Sequence, residues 1–254
     1  MHFPNLVRSK KLLWVFPKSE TQDWQSSIPS SSSRKIARNL DDIVEKSQLK
    51  FVWEELTEQK FTTWRAYYEK IMREQQHDVL APEDWYSKYA VDERKLFLLS
   101  CYKSEQNELV GGAIVSETNE KMWTLHYKAS ERLETLGRGN SSLGLLFELE
   151  YMRKAMESNP ELVTSGHSRN AFGYYNTIGY LLFKLRMGYR PTIPADAILE
   201  EDFPFREGEP TVWYALDQGS KQEYFLTTDP LNSYPDELAH FCNVLEIPTQ
   251  EMVK

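Results

Sequence analysis

The chain has 254 residues, 41% of them hydrophobic, enough for a sizeable core in one large domain or two small ones. Its formal charge of -8 argues against a protein built to grip nucleic-acid backbone, with local basic patches left open. Two cysteines make no disulfide framework and point to a reducing, cytoplasmic setting; no apolar run approaches a bilayer span, and the start lacks the apolar core of a signal peptide.

The first segment, "KKLLWVFPKS", reads as a short strand or a partner-binding piece. The run "SIPSSSSRK" that follows buries little surface and reads as a mobile linker. Residues 1–47 are therefore expected to form an N-terminal extension, separable from a domain over residues 48–254. "LKFVWEEL" opens that domain as a strand. Phe61, Trp64, Tyr68, Ile71 and Met72 then recur at helical spacing on one face. "APEDWYSKYA" predicts a short helix with Pro82 in its first turn. Three apolar runs, "KLFLLSCY", "LVGGAIVS" and "KMWTLHYKAS", predict consecutive antiparallel strands with Cys101 in the core.

Next comes "LGRGNSSLG", a glycine turn entering a helix marked by Leu145, Leu149, Met152 and Met156. Glu148, Glu150, Arg153 and Lys154 read as largely its other side. "ELVTSGHS" predicts a strand followed by a turn at His167 and Ser168, and a second long helix carries Ile178, Leu181, Leu182 and Leu185 before Gly188 and Pro191 end it. "PTVWYALD" closes the core as a strand, and "KQEYFLTTD" adds another. The fold class expected is α/β: a mixed, mostly antiparallel sheet flanked by helices.

Glycines before a helix let backbone N–H groups converge where the helix start favours an anion. Gly137, Arg138, Gly139, Asn140, Ser141 and Ser142 form such a turn, although Ser142 breaks the dinucleotide fingerprint and Leu145 and Leu146 replace the lysine and hydroxyl of a P-loop. A second reading is a plain tight turn with Asn140 or Ser141 capping the helix. Arg138, between two glycines, has the guanidinium geometry for phosphate. Arg132 and Lys128 read either as its helpers or as solvated surface.

This order of three strands, glycine turn, helix, strand and helix resembles the GCN5-related N-acetyltransferase (GNAT) superfamily. Within it, the span from Leu109 to Pro191 resembles the FemAB-like acetyltransferase group: Gly166, His167 and Ser168 resemble a Gly-x-Ser turn, and Phe183, Lys184, Gly188, Arg190 and Pro191 match the helix end. Leu181 stands where that pattern has tyrosine. The resemblance implies acetyl-CoA or another acyl-CoA as co-substrate, its pyrophosphate on the glycine turn, and a small-molecule or peptide amine as acceptor. Aminoacyl-tRNA as donor, and a non-catalytic CoA- or partner-binding domain, are the alternatives it leaves.

Acyl transfer needs proton removal from the amine and support for the oxyanion and thiolate. His126 is the strand residue suited to proton traffic near pH 7, or else a histidine satisfied by packing. His167, Ser168 and Tyr175 are the other catalytic candidates. The five histidines never fall at metal-ligand spacing.

Overall fold

The structure, a computed structural model, describes residues 6–7, 12–17, 23–90, 94–133, 136, 142–168, 178–192, 211–216, 222–227 and 243–244. In chain order the strands and helices are β1 (Leu6–Val7), β2 (Leu12–Phe16), α1 (Ser31–Arg38), α2 (Leu40–Lys46), β3 (Leu49–Glu55), α3 (Glu58–Glu74), α4 (Trp85–Tyr89), β4 (Arg94–Lys103), β5 (Glu108–Thr118), β6 (Met122–Ser130), α5 (Leu143–Glu157), β7 (Leu162–Ser168), α6 (Ile178–Arg186), β8 (Arg190–Thr192), β9 (Thr211–Leu216), β10 (Gln222–Thr227) and β11 (Asn243–Val244). The chain divides into two compact units, one of Phe16–Gly166 and one of Met1–Val15 with His167–Lys254.

In the Phe16–Gly166 unit the strands lie in the order β3-β4-β5-β6-β7, antiparallel except for the parallel β6–β7 pair. This is the mixed, mostly antiparallel sheet expected from the alternation of apolar runs, with helices on its faces. Consecutive strand residues point to opposite faces, and Gly111 and Gly112 show which helix lies where. A Cβ on Gly111 would sit 2.4 Å from the Phe147 ring of α5, and one on Gly112 would sit 2.6 Å from the Trp64 ring of α3. The two helices therefore cover opposite faces.

Phe61, Trp64, Tyr68 and Ile71 of α3 are buried against Leu96, Leu98, Ile114 and Ala129, with Met72 partly buried beside them. The predicted stripe is thus the buried face. Thr57 caps α3 by accepting from the Lys60 amide at 3.3 Å. Because Trp64 and Phe147 are closely packed, neither ring can retreat freely. Gly111→Ala is expected to destabilise the unit by about 1–3 kcal/mol through overpacking. Thermal denaturation checks this, and an unchanged melting temperature would refute the close-approach argument.

The serine-rich segment is not a linker. Ser30 caps α1, its hydroxyl accepting from the Ser33 amide at 3.3 Å, and Ser33 and Ala37 are buried. Serine runs look like linkers because they carry little apolar area, yet the same hydroxyls start helices. Trp24, Ile28 and Leu40 bring the missing apolar surface from either side and are also buried. Arg153 of α5 pairs with Asp41 of α2 and with Glu150, and Glu150 accepts from Trp53 Nε1 at 3.0 Å. The boundary expected after residue 47 consequently lies inside this unit.

In the other unit β2 pairs antiparallel with β8, and Trp14 packs edge-on against Tyr180 of α6. Leu182 and Leu185 are buried, and Gly188, at φ 88, follows the end of α6 in the left-handed region that suits glycine. The expected strand "PTVWYALD" is β9; it pairs with β1 and β10 in the sheet β1-β9-β10-β11 and so belongs to a second sheet instead of closing the first. Among the described residues, no helix is long and apolar enough to cross a membrane.

Candidate functional site

The parallel pair β6 and β7 is joined through α5, the crossover that parallel strands require. Their ladder has three residue pairs, Met122↔Leu162, Trp123↔Val163 and Thr124↔Thr164. Thr164 closes it with its side chain, donating to the Trp123 carbonyl at 3.3 Å and bonding the Thr124 hydroxyl at 3.0 Å. Beyond it β6 continues through Leu125–Ser130, paired with β5 on one side and, among the described residues, with no registered strand on the other. Among the described residues, the registered β6–β7 pairing thus stops at Thr124↔Thr164, at the carboxyl end of a parallel strand, where α/β folds place ligands.

A bulge marks the same point. Ile114 pairs with Tyr127 but Val115 pairs with Leu125, so His126 is the extra residue. Its ring lies against Trp85 and Tyr89 of α4, with centroids 5.0 and 5.4 Å away, and Nε2 is 2.8 Å from the Ser116 hydroxyl. The Arg94 guanidinium lies over Tyr89 at 5.2 Å. Aromatic packing and a polar contact therefore fix the imidazole at the end of the ladder. These contacts describe a packed histidine. Burial pushes the Cys101 thiol up to about 12, which keeps it protonated and unsuited to nucleophilic chemistry.

Ser142 is the N-cap of α5 and accepts from the Leu145 amide at 3.2 Å, the role the simple-turn reading gave to Asn140 or Ser141. Gly137, Arg138, Gly139, Asn140, Ser141 and Tyr175 lie outside the described residues. His167 and Ser168 are the last two residues of β7, not a turn after it, and their side chains also lie outside the described set. Their extended backbone fits a strand that runs two residues past the left-handed Gly166. Lys184, part of the helix-end pattern, is buried with its ammonium 4.6 Å from the centre of the Tyr189 ring and 5.4 Å from that of Tyr180.

Sequence reasoning missed two groups near the end of the ladder. Glu148 is fully buried and paired with Lys128, whose ammonium also donates to the Gly144 carbonyl at 3.1 Å. Lys128 is thus tied to α5 and is not simply solvated. Tyr151, also fully buried, donates its hydroxyl to the Thr164 carbonyl at 2.6 Å. Burial, then the nearby Glu148 carboxylate, raises the phenol well above its ordinary range, so it stays a donor. One signal was available: "LGLLFELEYM" is apolar around most of its circumference, as buried helices are, so its glutamates needed partners.

No family model and no curated protein matches the chain. Among solved structures it is similar to a tandem GNAT protein from the clavulanic acid biosynthesis pathway, with TM-score 0.44 and 14% identity over 75% of this chain and 52% of that one. It is also similar to FemX, with TM-score 0.49 and 12% identity over 74% of this chain and 61% of that one. L-PGS from Bacillus licheniformis gives TM-score 0.46 and 11% identity over 73% and 59%. The chain spans between about half and three fifths of the length of these proteins.

Proposed function

We propose that the chain is an acyl-CoA-dependent N-acyltransferase acting on an amine. The observation that carries this reading is the three-pair β6–β7 ladder, which ends beside a bulge and, among the described residues, leaves the rest of β6 without a registered partner on that side. An acyl-CoA has an amide-bearing arm between its thioester and its phosphates. Such an arm can pair with an open strand edge as an added strand does, which sets the thioester beside the bulge at His126. The phosphates then extend toward the start of α5, the glycine turn singled out in the sequence. Gly137, Arg138, Gly139, Asn140, Ser141 and Ser142 are proposed to hold them, with the Ser142 hydroxyl already engaged as the cap.

In the reaction the amine nitrogen bonds to the thioester carbonyl carbon and the carbon–sulfur bond breaks. The proton leaving the ammonium is balanced by the one the departing thiolate takes up. His126 is proposed to accept the first proton, directly or through water, because it is fixed at the end of the ladder. His167, Ser168 and Tyr175 remain the proposed partners on the thiolate side.

Calorimetric titration with acetyl-CoA, longer acyl-CoAs and free CoA tests the reading. Saturable binding of acetyl-CoA and of CoA is expected, since both carry the same arm and phosphates. Absence of binding to every one of them would reject it.

A further inference from the structure

We propose that Ser116 is a positioning residue for His126: its hydroxyl sets which way round the imidazole stands and bonds the ring both before and after it takes up a proton. The proposal rests on the acyl-transfer reading for what the ring does, but not for how the ring is held.

The need for such a residue comes from the bulge. A strand residue in register has its side-chain direction set by the ladder, whereas the extra residue of a bulge stands outside the register. The imidazole is therefore directed by what its ring touches. Trp85 and Tyr89 meet it edge-on, at 65° and 66° between ring planes, and these contacts fix the plane of the ring. Ring contacts of this kind do not tell nitrogen from carbon. A half-turn about the Cβ–Cγ bond would keep them, yet it would put a carbon where Nε2 now lies 2.8 Å from the Ser116 oxygen. The hydroxyl separates the two orientations, because the nitrogen forms the bond and the carbon does not.

The place of Ser116 in the sheet supports this. It stands between Leu96 of β4 and Thr124 of β6, and Thr124 in turn stands opposite Thr164 of β7. Ser116, Thr124 and Thr164 are 1%, 4% and 0% exposed, so each hydroxyl needs a partner inside the protein. The two threonines bond to each other at 3.0 Å, and Thr164 also donates to the Trp123 carbonyl. Ser116 turns to the imidazole. A hydroxyl both donates and accepts, so it bonds Nε2 as a lone pair or as an N–H without moving. The titratable and charged groups that face the ring with it are Tyr89 of α4, which carries the Arg94 guanidinium over its face, and Tyr127 of β6.

Ser116→Ala tests the proposal because it removes one oxygen and keeps the Cβ. Two readouts are followed across pH: the imidazole nitrogen resonances of His126 in the chain without ligand, and amine-dependent thiol release from acetyl-CoA with a panel of primary amines. The His126 resonances are expected to change and their titration to move to lower pH, because the charged ring loses the acceptor for its Nε2–H. kcat/KM is expected to fall roughly 3–10-fold, its pH limb moving with the resonances. Ser116→Thr, which keeps the hydroxyl, should hold both near their unaltered values. Thr124→Val removes a buried hydroxyl that bonds Thr164 and should leave the His126 resonances in place. Unmoved resonances in Ser116→Ala overturn the proposal, and so does an equal change in Thr124→Val. Changed resonances with the rate and its pH limb intact also overturn it, since the hydroxyl would then hold a ring that takes no part in transfer. If the unaltered chain releases no thiol with any amine, the acyl-transfer reading fails by itself, and the resonances still decide whether Ser116 sets the ring. Ser116→Cys, far weaker as a hydrogen-bonding partner, gives the same comparison if alanine loosens the strand.

Discussion

Lys128→Met is expected to destabilise the chain by about 3–5 kcal/mol, because it strands a buried carboxylate without its ammonium. Glu148 has no solvent exposure, whereas the Lys128 side chain is 26% exposed, so the carboxylate cannot exchange its partner for water. At roughly 2–4 °C per kcal/mol for a chain of this size, the melting temperature should fall by about 6–20 °C. Lys128→Met combined with Glu148→Leu is expected to recover most of that loss, since an ion pair replaced by apolar groups forfeits little once neither charge remains. A single variant as stable as the unaltered chain would show that the pair contributes nothing. Equal losses in the single and the double variant would place the cost in packing.

His126→Ala is expected to lower kcat/KM about 10²–10⁴-fold and to abolish a limb in which the rate rises with pH through the range where an imidazole titrates, near about 6.5. The sign follows from the role: a base works deprotonated, so activity is lost as pH falls. His167→Ala must be measured beside it, because a second histidine would produce the same limb. Retention of the full rate and pH profile by both variants would leave neither histidine as the base, and catalysis would rest on holding thioester and amine together.

The parts of the fold that were legible in the sequence are those where side-chain type and burial agree. The α3 stripe is an example: Phe61, Trp64, Tyr68 and Ile71 are apolar or aromatic at helical spacing and are buried. The three strands β4, β5 and β6 were visible for the same reason. Where composition and burial disagree, the sequence misled. Ser33 is buried at the start of a helix, Glu148 is buried through an ion pair with Lys128, 20 residues away in the chain, and Glu150 accepts from the Trp53 N–H, 97 residues away. Such long-range partners leave no local trace. Of the groups near the end of the β6–β7 ladder, the sequence singled out His126 but not Tyr151, because a tyrosine in an apolar helix reads as packing until its hydroxyl is seen to donate to the Thr164 carbonyl.

The bulge at His126 also fixes which changes in length β6 can accept. Trp123 lies on the α5 face, in ring contact with Trp53, which bonds to Glu150. Plain alternation would put Tyr127 on that face as well. The extra residue turns Tyr127 instead toward Trp64 and Tyr68 of α3, and Lys128 toward Glu148 of α5. Deleting His126 would remove the bulge while keeping Leu125 opposite Val115 and Tyr127 opposite Ile114, so both destinations would stay as they are. The residue count of this stretch can therefore fall by one at the bulge without inverting the rest of the strand, and what is lost is the imidazole with its contacts to Trp85, Tyr89 and Ser116.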